Sequence, residues 1–234
     1  SNGNPKRDSQ GEIVWETVGF DIRNKTYSQL PEELQDRFNG YQIETVIHQN
    51  CDTTEISKLV RRFNNHVGMN AAQKAFTYAD TFASEIRNIT RNRFFLDVYN
   101  CSRNDRKNGT LERLVSDMVI LCNYPDQYRK DSKIAFKWLN ENGTISDFDN
   151  LNELLTRLAA LVENIKEIKT LFNSKHAHIF VAAFKAFLEL GHEEKEYGKF
   201  LGWFVNGGSE TEIDGKSWDM MGIDRSTRDS GVVH

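Results

Sequence analysis

The most informative stretch of the sequence is Leu30–Asn70, which reads LPEELQDRFNGYQIETVIHQNCDTTEISKLVRRFNNHVGMN. Its opening, from Pro31 to Phe38, predicts a short helix. The β-branched residues from Tyr41 to His48 then favour a strand. Asp52 and Glu55 stand three residues apart, as in a capping box that starts a helix. From this cap onward the apolar spacing is helical, which predicts that the remainder of the chain is built from helices.

The helix that begins at this cap carries an apolar stripe with i, i+3, i+4, i+7 spacing: Ile56, Leu59, Val60 and Phe63. We expect this stripe to be buried. The charged positions around it are expected to be exposed: Glu55, Lys58 and Arg61.

Working outward, the chain divides into four parts. Residues 1–12 are polar and are expected to be a flexible tail or an expression scar. Residues 13–50 form a small α/β element, in which the near-alternation from Ile13 to Ile22 predicts one bent strand or two short ones. Residues 51–208 form a helical domain, and residues 209–234 an irregular C-terminal tail. The predicted fold class is mainly α, a multi-helix bundle with a small N-terminal β element.

Within the helical domain, the longest predicted helix runs from about Phe148 to Phe172, where apolar residues alternate three and four apart. We expect this seam to be part of a bundle core, because neighbouring amphipathic helices can cover it. The other predicted helices are Ala75–Ile86, Thr110–Cys122, Ile134–Leu139, Phe180–Leu188 and Tyr197–Phe204. Gly143, Gly191 and Gly207 are expected to end the helices that precede them.

Composition bounds the class of protein. The 234 residues are 38% hydrophobic and 27% charged, with a net charge of −4, which predicts a soluble globular protein. No apolar run approaches membrane-spanning length, so no membrane partner is expected. Three widely separated cysteines predict neither a disulfide framework nor a zinc site and suit the cytoplasm. His176 and His178, two residues apart, would point in different directions on a helix. No cofactor is predicted.

One basic segment could bind nucleic acid. It contains two carboxylates, Asp97 and Asp105, against six cations: Arg87, Arg91, Arg93, Arg103, Arg106 and Lys107. Interleaved aromatic residues could stack on bases: Phe94, Phe95 and Tyr99. The favoured alternative is that these rings belong to the core and the arginines form a solvated rim.

Arg62 and Asn64 allow two interpretations. Lys58 and Arg62 stand one turn apart, with Glu55 before them, so a local ion-pair ladder explains the charges. The functional alternative is that Arg62 and Asn64 face a cleft shared with an upstream domain.

Leu30–Asn70 resembles the middle of the domain found in GmrSD-type type IV restriction systems, which has a ParB/sulfiredoxin-like N-terminal half. The resemblance rests on the Leu30-Pro31 approach, the acidic turn, Glu55-Ile56 and Arg62-Phe63-Asn64. Val60 stands where the family usually has phenylalanine. The helical remainder of the chain is compatible with the family but carries no sharp motif.

The resemblance implies a parent protein in which nucleotide hydrolysis gates DNA cleavage. The family's Asp-Gly-Gln-Gln-Arg motif is absent, so this chain is expected to be a C-terminal portion without catalytic residues and without nucleotide turnover. Its expected role is a helical scaffold in restriction or antiphage defence, with DNA as a partner through the parent protein. The alternatives are a standalone helical module that binds a protein partner, and a nucleic-acid binder through residues 87–107.

Overall fold

The computed structural model describes residues 7–13, 19–63 and 68–218. By its contacts the chain divides into two compact units, Ser1–Gln49 and Asn50–His234. The fold is mainly α, as predicted. No helix among the described residues is both long and apolar enough to cross a membrane.

The described residues of the first unit include one α-helix, α1, Glu32–Asn39, close to the predicted position. A 3₁₀ turn, Tyr27–Gln29, precedes it. The Tyr27 ring lies 5.5 Å from that of Phe38, and its hydroxyl donates to Asn39 Oδ1 at 2.8 Å. These contacts join the turn to the end of α1.

The predicted β element is not confirmed. Residues 41–48 have no regular secondary structure, and their large apolar side chains are exposed: Tyr41, Ile43, Val46 and Ile47. Of the predicted strand from Ile13 to Ile22, residues 14–18 lie outside the described residues, and Ile13 forms only an isolated bridge with Arg7. β-Branched residues favour a strand only where a second strand accepts their hydrogen bonds, and the described residues provide none here.

The second unit contains the helices of the bundle. They are α2 (Thr53–Phe63), α3 (Ala71–Phe76), α4 (Ala83–Ile89), α5 (Thr110–Asn123), α6 (Ser132–Asn142), α7 (Ile145–Val162), α8 (Ala177–Glu189) and α9 (Glu194–Val205). A π-helical turn, Phe94–Val98, follows α4. α8 and α9 are each followed by a glycine with positive φ, Gly191 at +85° and Gly207 at +109°, which agrees with the predicted helix ends.

Helix α5 is the centre of the core. Leu114, Val115, Met118, Val119 and Ile120 are all 0% exposed, because α3, α4, α6, α7 and α8 pack around this helix. A helix that is apolar on nearly every side must be enclosed in this way. Residues on several sides of α5 therefore hold the other helices in place.

The predicted long helix is wrong over its last ten residues. α7 ends at Val162, and the chain turns through Glu167, whose φ is +61°, into a 3₁₀ turn, Ile168–Thr170. Ile168 and Phe172 are nevertheless buried, and the Phe172 ring lies 5.1 Å from that of Phe94. The apolar pattern marked the core correctly, but the chain bends to bring Phe172 onto the π-helical turn.

The predicted helix Ala75–Ile86 is divided into α3 and α4. Asn140 of α6 holds the turn between them, because its Nδ2 donates to the Tyr78 carbonyl at 2.6 Å and its Oδ1 accepts from Thr81 N at 3.2 Å. A tertiary contact therefore replaces the hydrogen bonds that a continuous helix would make.

The capping box that starts α2 is confirmed, since Glu55 N donates to Asp52 Oδ1 and Asp52 N donates to Glu55 Oε2. The predicted burial of the stripe is wrong at two positions. Ile56 is 50% and Val60 39% exposed, and Leu59 is half-buried. Periodicity shows which face of a helix is apolar but not whether another element covers it. The structure does not describe the side chains of Arg61 and Phe63, so their predicted exposure and burial stay predictions.

Candidate nucleic-acid interface

The aromatic residues of the predicted basic segment belong to the core. Phe94 and Phe95 are 0% exposed and Tyr99 2%, and the Phe94 ring packs edge-on against Phe95 and Phe172. A buried ring has no face to offer to a base. The favoured alternative of the sequence analysis is therefore confirmed for these three residues.

Arg93 is engaged by two carboxylates. Its Nε lies 3.1 Å from Asp97 Oδ2 and its Nη2 lies 3.0 Å from Glu163 Oε2. These hydrogen bonds, the one to Asp97 first, raise the pKa of Arg93 above its ordinary value. Because the Arg93 charge is compensated within the chain, it contributes little to attracting an anion.

The other predicted cations stand on two different segments of the chain. Arg87 and Arg91 are exposed at and after the end of α4, and the Arg87 guanidinium lies 5.2 Å from the centre of the Phe76 ring. Arg103, Arg106 and Lys107 are exposed in a turn that spans residues 103–109.

This turn is fixed against the start of α3. Gln73 Nε2 donates to the Lys107 carbonyl at 2.7 Å, while Gln73 also forms a capping box with Asn70. Gly109 has a φ of +79°, and a Cβ at this position would lie 3.1 Å from Gln73 N. The close approach and the left-handed backbone both favour glycine here. The basic turn therefore has a defined place beside α3.

Next to this turn lies a cleft of about 650 Å³ between the N-terminal ends of α3, α5 and α6. We call it the basic cleft. Its walls are lined by Ala71, Ala72, Lys74, Ala75, Tyr78, Thr110, Arg113, Lys130, Asp131, Ser132 and Lys133.

The basic cleft contains four cations, Lys74, Arg113, Lys130 and Lys133, and one carboxylate, so its net charge is +3. That carboxylate, Asp131, caps α6 by accepting from Lys133 N at 2.8 Å and Ile134 N at 3.3 Å. The whole chain carries −4, so the cleft is a local reversal of charge. A concave surface lined by one sign of charge concentrates ligands of the opposite sign.

Two side chains of the basic cleft are positioned by neighbouring groups. Arg113 Nη2 donates to the Ser174 carbonyl at 3.1 Å, which holds the guanidinium against the segment before α8. Tyr78 is half-buried, and the Lys133 and Lys137 ammonium nitrogens lie 4.9 and 5.3 Å from the centre of its ring. The cleft therefore combines fixed positive charge with an aromatic ring.

A second cleft, of about 300 Å³, lies between α5, α7 and α8. Lys185 Nζ donates there to the Cys122 carbonyl at 2.6 Å and to Glu189 Oε1 at 2.7 Å. Burial raises the pKa of the Cys122 thiol to about 12, so it stays protonated at neutral pH and is no nucleophile. Arg157 and Lys185 are matched by Glu153 and Glu189, and this cleft has no net charge.

Arg62, another predicted site residue, does not line the basic cleft. Arg62 is exposed on α2, and Asn64 lies outside the described residues, so the shared cleft stays a prediction. The His178 ring stacks on Tyr128 and the His176 ring packs edge-on against Trp218. Among the described residues, no three His, Cys, Asp or Glu side chains are grouped as metal ligands would be. No disulfide joins Cys51, Cys101 or Cys122.

Four cations of the basic cleft were not among the residues predicted from the sequence: Lys74, Arg113, Lys130 and Lys133. They come from three helices and the segment before α6, spread over sixty residues. The one local signal was Lys130-Asp131-Ser132-Lys133, in which two lysines flank a helix-capping Asp-Ser pair.

A scan against protein-family models, a search of curated proteins and a search of solved structures each find no match to this chain.

Proposed function

We propose that this chain binds nucleic acid through the basic cleft and the adjoining turn of residues 103–109. The observation that carries the proposal is the +3 cleft in a chain of net charge −4. Phosphate groups are the anions that such clustered lysines and arginines neutralise most effectively, through charge and through the release of bound counterions.

The extent of the positive surface favours a polymer over a small phosphate compound. Arg103, Arg106 and Lys107 continue the charge beyond the cleft, because the Gln73–Lys107 hydrogen bond seats their turn beside α3. A single phosphate would occupy only part of this positive surface. A strand with a phosphate at every nucleotide can contact both the cleft and the turn.

The binding residues in this proposal are Lys74, Arg113, Lys130 and Lys133 in the cleft, and Arg103, Arg106 and Lys107 on the turn. Arg87 and Arg91 do not line the cleft and take no direct part in this proposal. Arg93 takes no direct part, because Asp97 and Glu163 hold its guanidinium. A cytoplasmic setting, where thiols stay reduced, is part of this proposal.

The test reverses two charges, Lys130→Glu together with Lys133→Glu, and measures oligonucleotide affinity by fluorescence anisotropy over a salt series. Affinity should fall by about tenfold or more at low salt, and the slope of log K against log salt should flatten by about 0.7 for each lost single-strand phosphate contact. The change should leave α6 folded, since glutamate near a helix N-terminus interacts favourably with the helix dipole.

The matched control carries the same charge change elsewhere, Lys166→Glu together with Lys199→Glu, at two exposed lysines outside the cleft. Only a small effect on affinity is expected from it. Equal losses in both double variants would mean that overall charge, and not the basic cleft, governs binding.

A second proposal follows from the sequence of Leu30–Asn70, which resembles GmrSD-type restriction proteins. In it the chain is the helical scaffold of a restriction or antiphage-defence protein that acts on DNA. The exposed Arg62 of α2 is then available to an upstream domain. The scaffold role predicts no phosphate release from GTP or ATP by this chain alone, and robust turnover would contradict it.

A further inference from the structure

Residues 41–48 have the composition of a strand but no strand partner among the described residues. They form no regular secondary structure, and no hydrogen bond within the described chain involves a main-chain group of residues 42–47. Unpaired N–H and C=O groups in an extended, β-branched segment are a row of donors and acceptors that a second strand can satisfy.

The side chains of this segment alternate between two kinds of face once it is extended, because successive side chains of a strand point in opposite directions. One face is apolar apart from a hydroxyl: Tyr41, Ile43, Thr45 and Ile47. The other face is mostly polar: Gln42, Glu44, Val46 and His48. Tyr41, Ile43 and Ile47 are 77%, 76% and 79% exposed. The segment is therefore an amphipathic strand whose apolar face is uncovered.

The helix next to this segment lacks a core as well. Only Gly40 separates α1 from the segment, no residue of α1 is buried, and Phe38 is 69% exposed. The Tyr27 ring, which packs on Phe38, is 44% exposed. A two-stranded ribbon becomes stable in water when it packs against a helix. The exposed rings of α1 and its preceding turn supply the apolar surface for such packing.

We infer that residues 41–48 pair with the same segment of a second copy of this chain, as an antiparallel ribbon about a two-fold axis. Thr45 lies on the axis, and Ile43 of each copy lies opposite Ile47 of the other. Opposite side chains of an antiparallel pair point to the same face of the sheet. The two apolar faces therefore merge into one, which the α1 helices cover.

Charge selects this register over its neighbours. Here Glu44 lies opposite Val46 of the second copy. If Ile43 lay opposite Thr45 instead, Glu44 would directly face Glu44 of the second copy, and like charges in that position are destabilising. A shift in the other direction would place Ile43 opposite Gln49. A shift by a single residue would set apolar side chains against polar ones.

The exposed area matches what a dimer needs. Five large side chains would be covered in each copy: Tyr27, Phe38, Tyr41, Ile43 and Ile47. At about 150–250 Å² for a large side chain, their exposed fractions correspond to roughly 700 Å² per copy. Each partner in a stable interface of standard size buries about 600–1,000 Å².

The oligomeric state of the full chain tests this inference. Sedimentation velocity at concentrations of about 1–100 µM should show a species of twice the 27.0 kDa chain mass. Ile43→Glu together with Ile47→Glu should weaken dimerisation by about a hundredfold or more, because glutamates then face each other across the ribbon. Both isoleucines are exposed within one chain, so its circular dichroism spectrum should not change.

The matched control is Leu190→Glu together with Ile213→Glu. It introduces the same charges at two apolar side chains of the second unit that are 77% and 71% exposed, and the dimer should persist.

A cross-linking measurement tests the register. Thr45→Cys in a Cys51→Ser background should form a disulfide between the two copies on mild oxidation, because opposite Cβ atoms lie about 4.5–5.5 Å apart. Glu44→Cys in the same background should form much less of it, since position 44 lies only diagonally from its equivalent.

The possible results are distinct, and none of them bears on the basic cleft. A chain that stays monomeric at the highest concentration overturns the inference and would leave residues 41–48 to the sheet edge of a different protein. A dimer that survives Ile43→Glu with Ile47→Glu, or that the control variant abolishes equally, places the interface elsewhere and also overturns it. A disulfide that forms through position 44 and not through position 45 contradicts the register.

Discussion

At the scale of single residues, the surroundings of a side chain decide what its chemistry can do. Arg93 and Lys133 are both exposed cations, yet Arg93 is held by two carboxylates while Lys133 stands at a cleft with other cations. Cys122 shows the same dependence, since burial keeps its thiol protonated and inert. Residue type alone therefore does not identify a binding residue.

The raised pKa of Cys122 predicts slow alkylation of the folded protein. With a pKa of about 12, only roughly one thiol in ten thousand is ionised at pH 8, and the rate should rise about tenfold per pH unit while the fold persists. Iodoacetamide labelling followed by peptide mass spectrometry checks this.

The control for this prediction is the same chain in denaturant, where Cys122 should react at the rate of an ordinary thiol. Labelling of native Cys122 at pH 8 as fast as in the denatured chain would show that the thiol is not protected.

At the scale of elements, the turn of residues 103–109 illustrates how a loop gains a fixed position. Gly109 supplies a left-handed backbone and lets the turn approach the backbone of Ala72 and Gln73. Asn108 Oδ1 accepts from both the Thr110 amide and its hydroxyl, at 3.1 and 2.6 Å, which joins the turn to α5. The turn that carries Arg103, Arg106 and Lys107 is therefore held in place by Gly109 and by the side chains of Gln73 and Asn108.

Gly109→Ala should destabilise the fold by more than Gly191→Ala. Both glycines have positive φ, at +79° and +85°, so each substitution costs about 1–2 kcal/mol of backbone strain. Only the alanine at position 109 also meets the backbone, 3.1 Å from Gln73 N, whereas a Cβ at 191 meets nothing within 4 Å.

Thermal unfolding of both variants checks the comparison, since about 1 kcal/mol lowers Tm by roughly 2–4 °C in a chain of this size. Gly109→Ala should also weaken oligonucleotide binding, because the basic turn must move. Equal Tm values for the two variants would show that the turn moves away from the added Cβ without loss of stability.

At the scale of the whole molecule, charge and hydrophobicity are distributed unevenly. The buried apolar residues of the described chain run from Ala75 to Phe204, all within the unit Asn50–His234. The positive cleft lies in the same unit, whereas the chain as a whole is acidic. Binding to a polyanion should therefore be confined to one face and should weaken steeply as salt rises.

How much could be predicted from the sequence depends on the range of the interactions involved. α1, α5, α6, α8 and α9 were located from caps, glycines and 3.6-residue periodicity, all of which act within one or two turns of chain. Phe94 and Phe95 were assigned to the core on hydrophobicity alone, because their segment needs apolar side chains to pack against the protein. The strand at Tyr41–His48 failed because a strand needs a partner, which a local pattern cannot supply.

The amino-acid sequence by itself determined the helical class, the caps and which side chains are apolar enough to form a core. Only the tertiary structure decided that the chain bends after Val162, that Ile56 and Val60 of α2 remain exposed, and that Lys74, Arg113, Lys130 and Lys133 share a cleft with Tyr78. The physical reason is that periodicity and capping are local, whereas a cleft is formed by residues far apart in the chain that packing around α5 brings together.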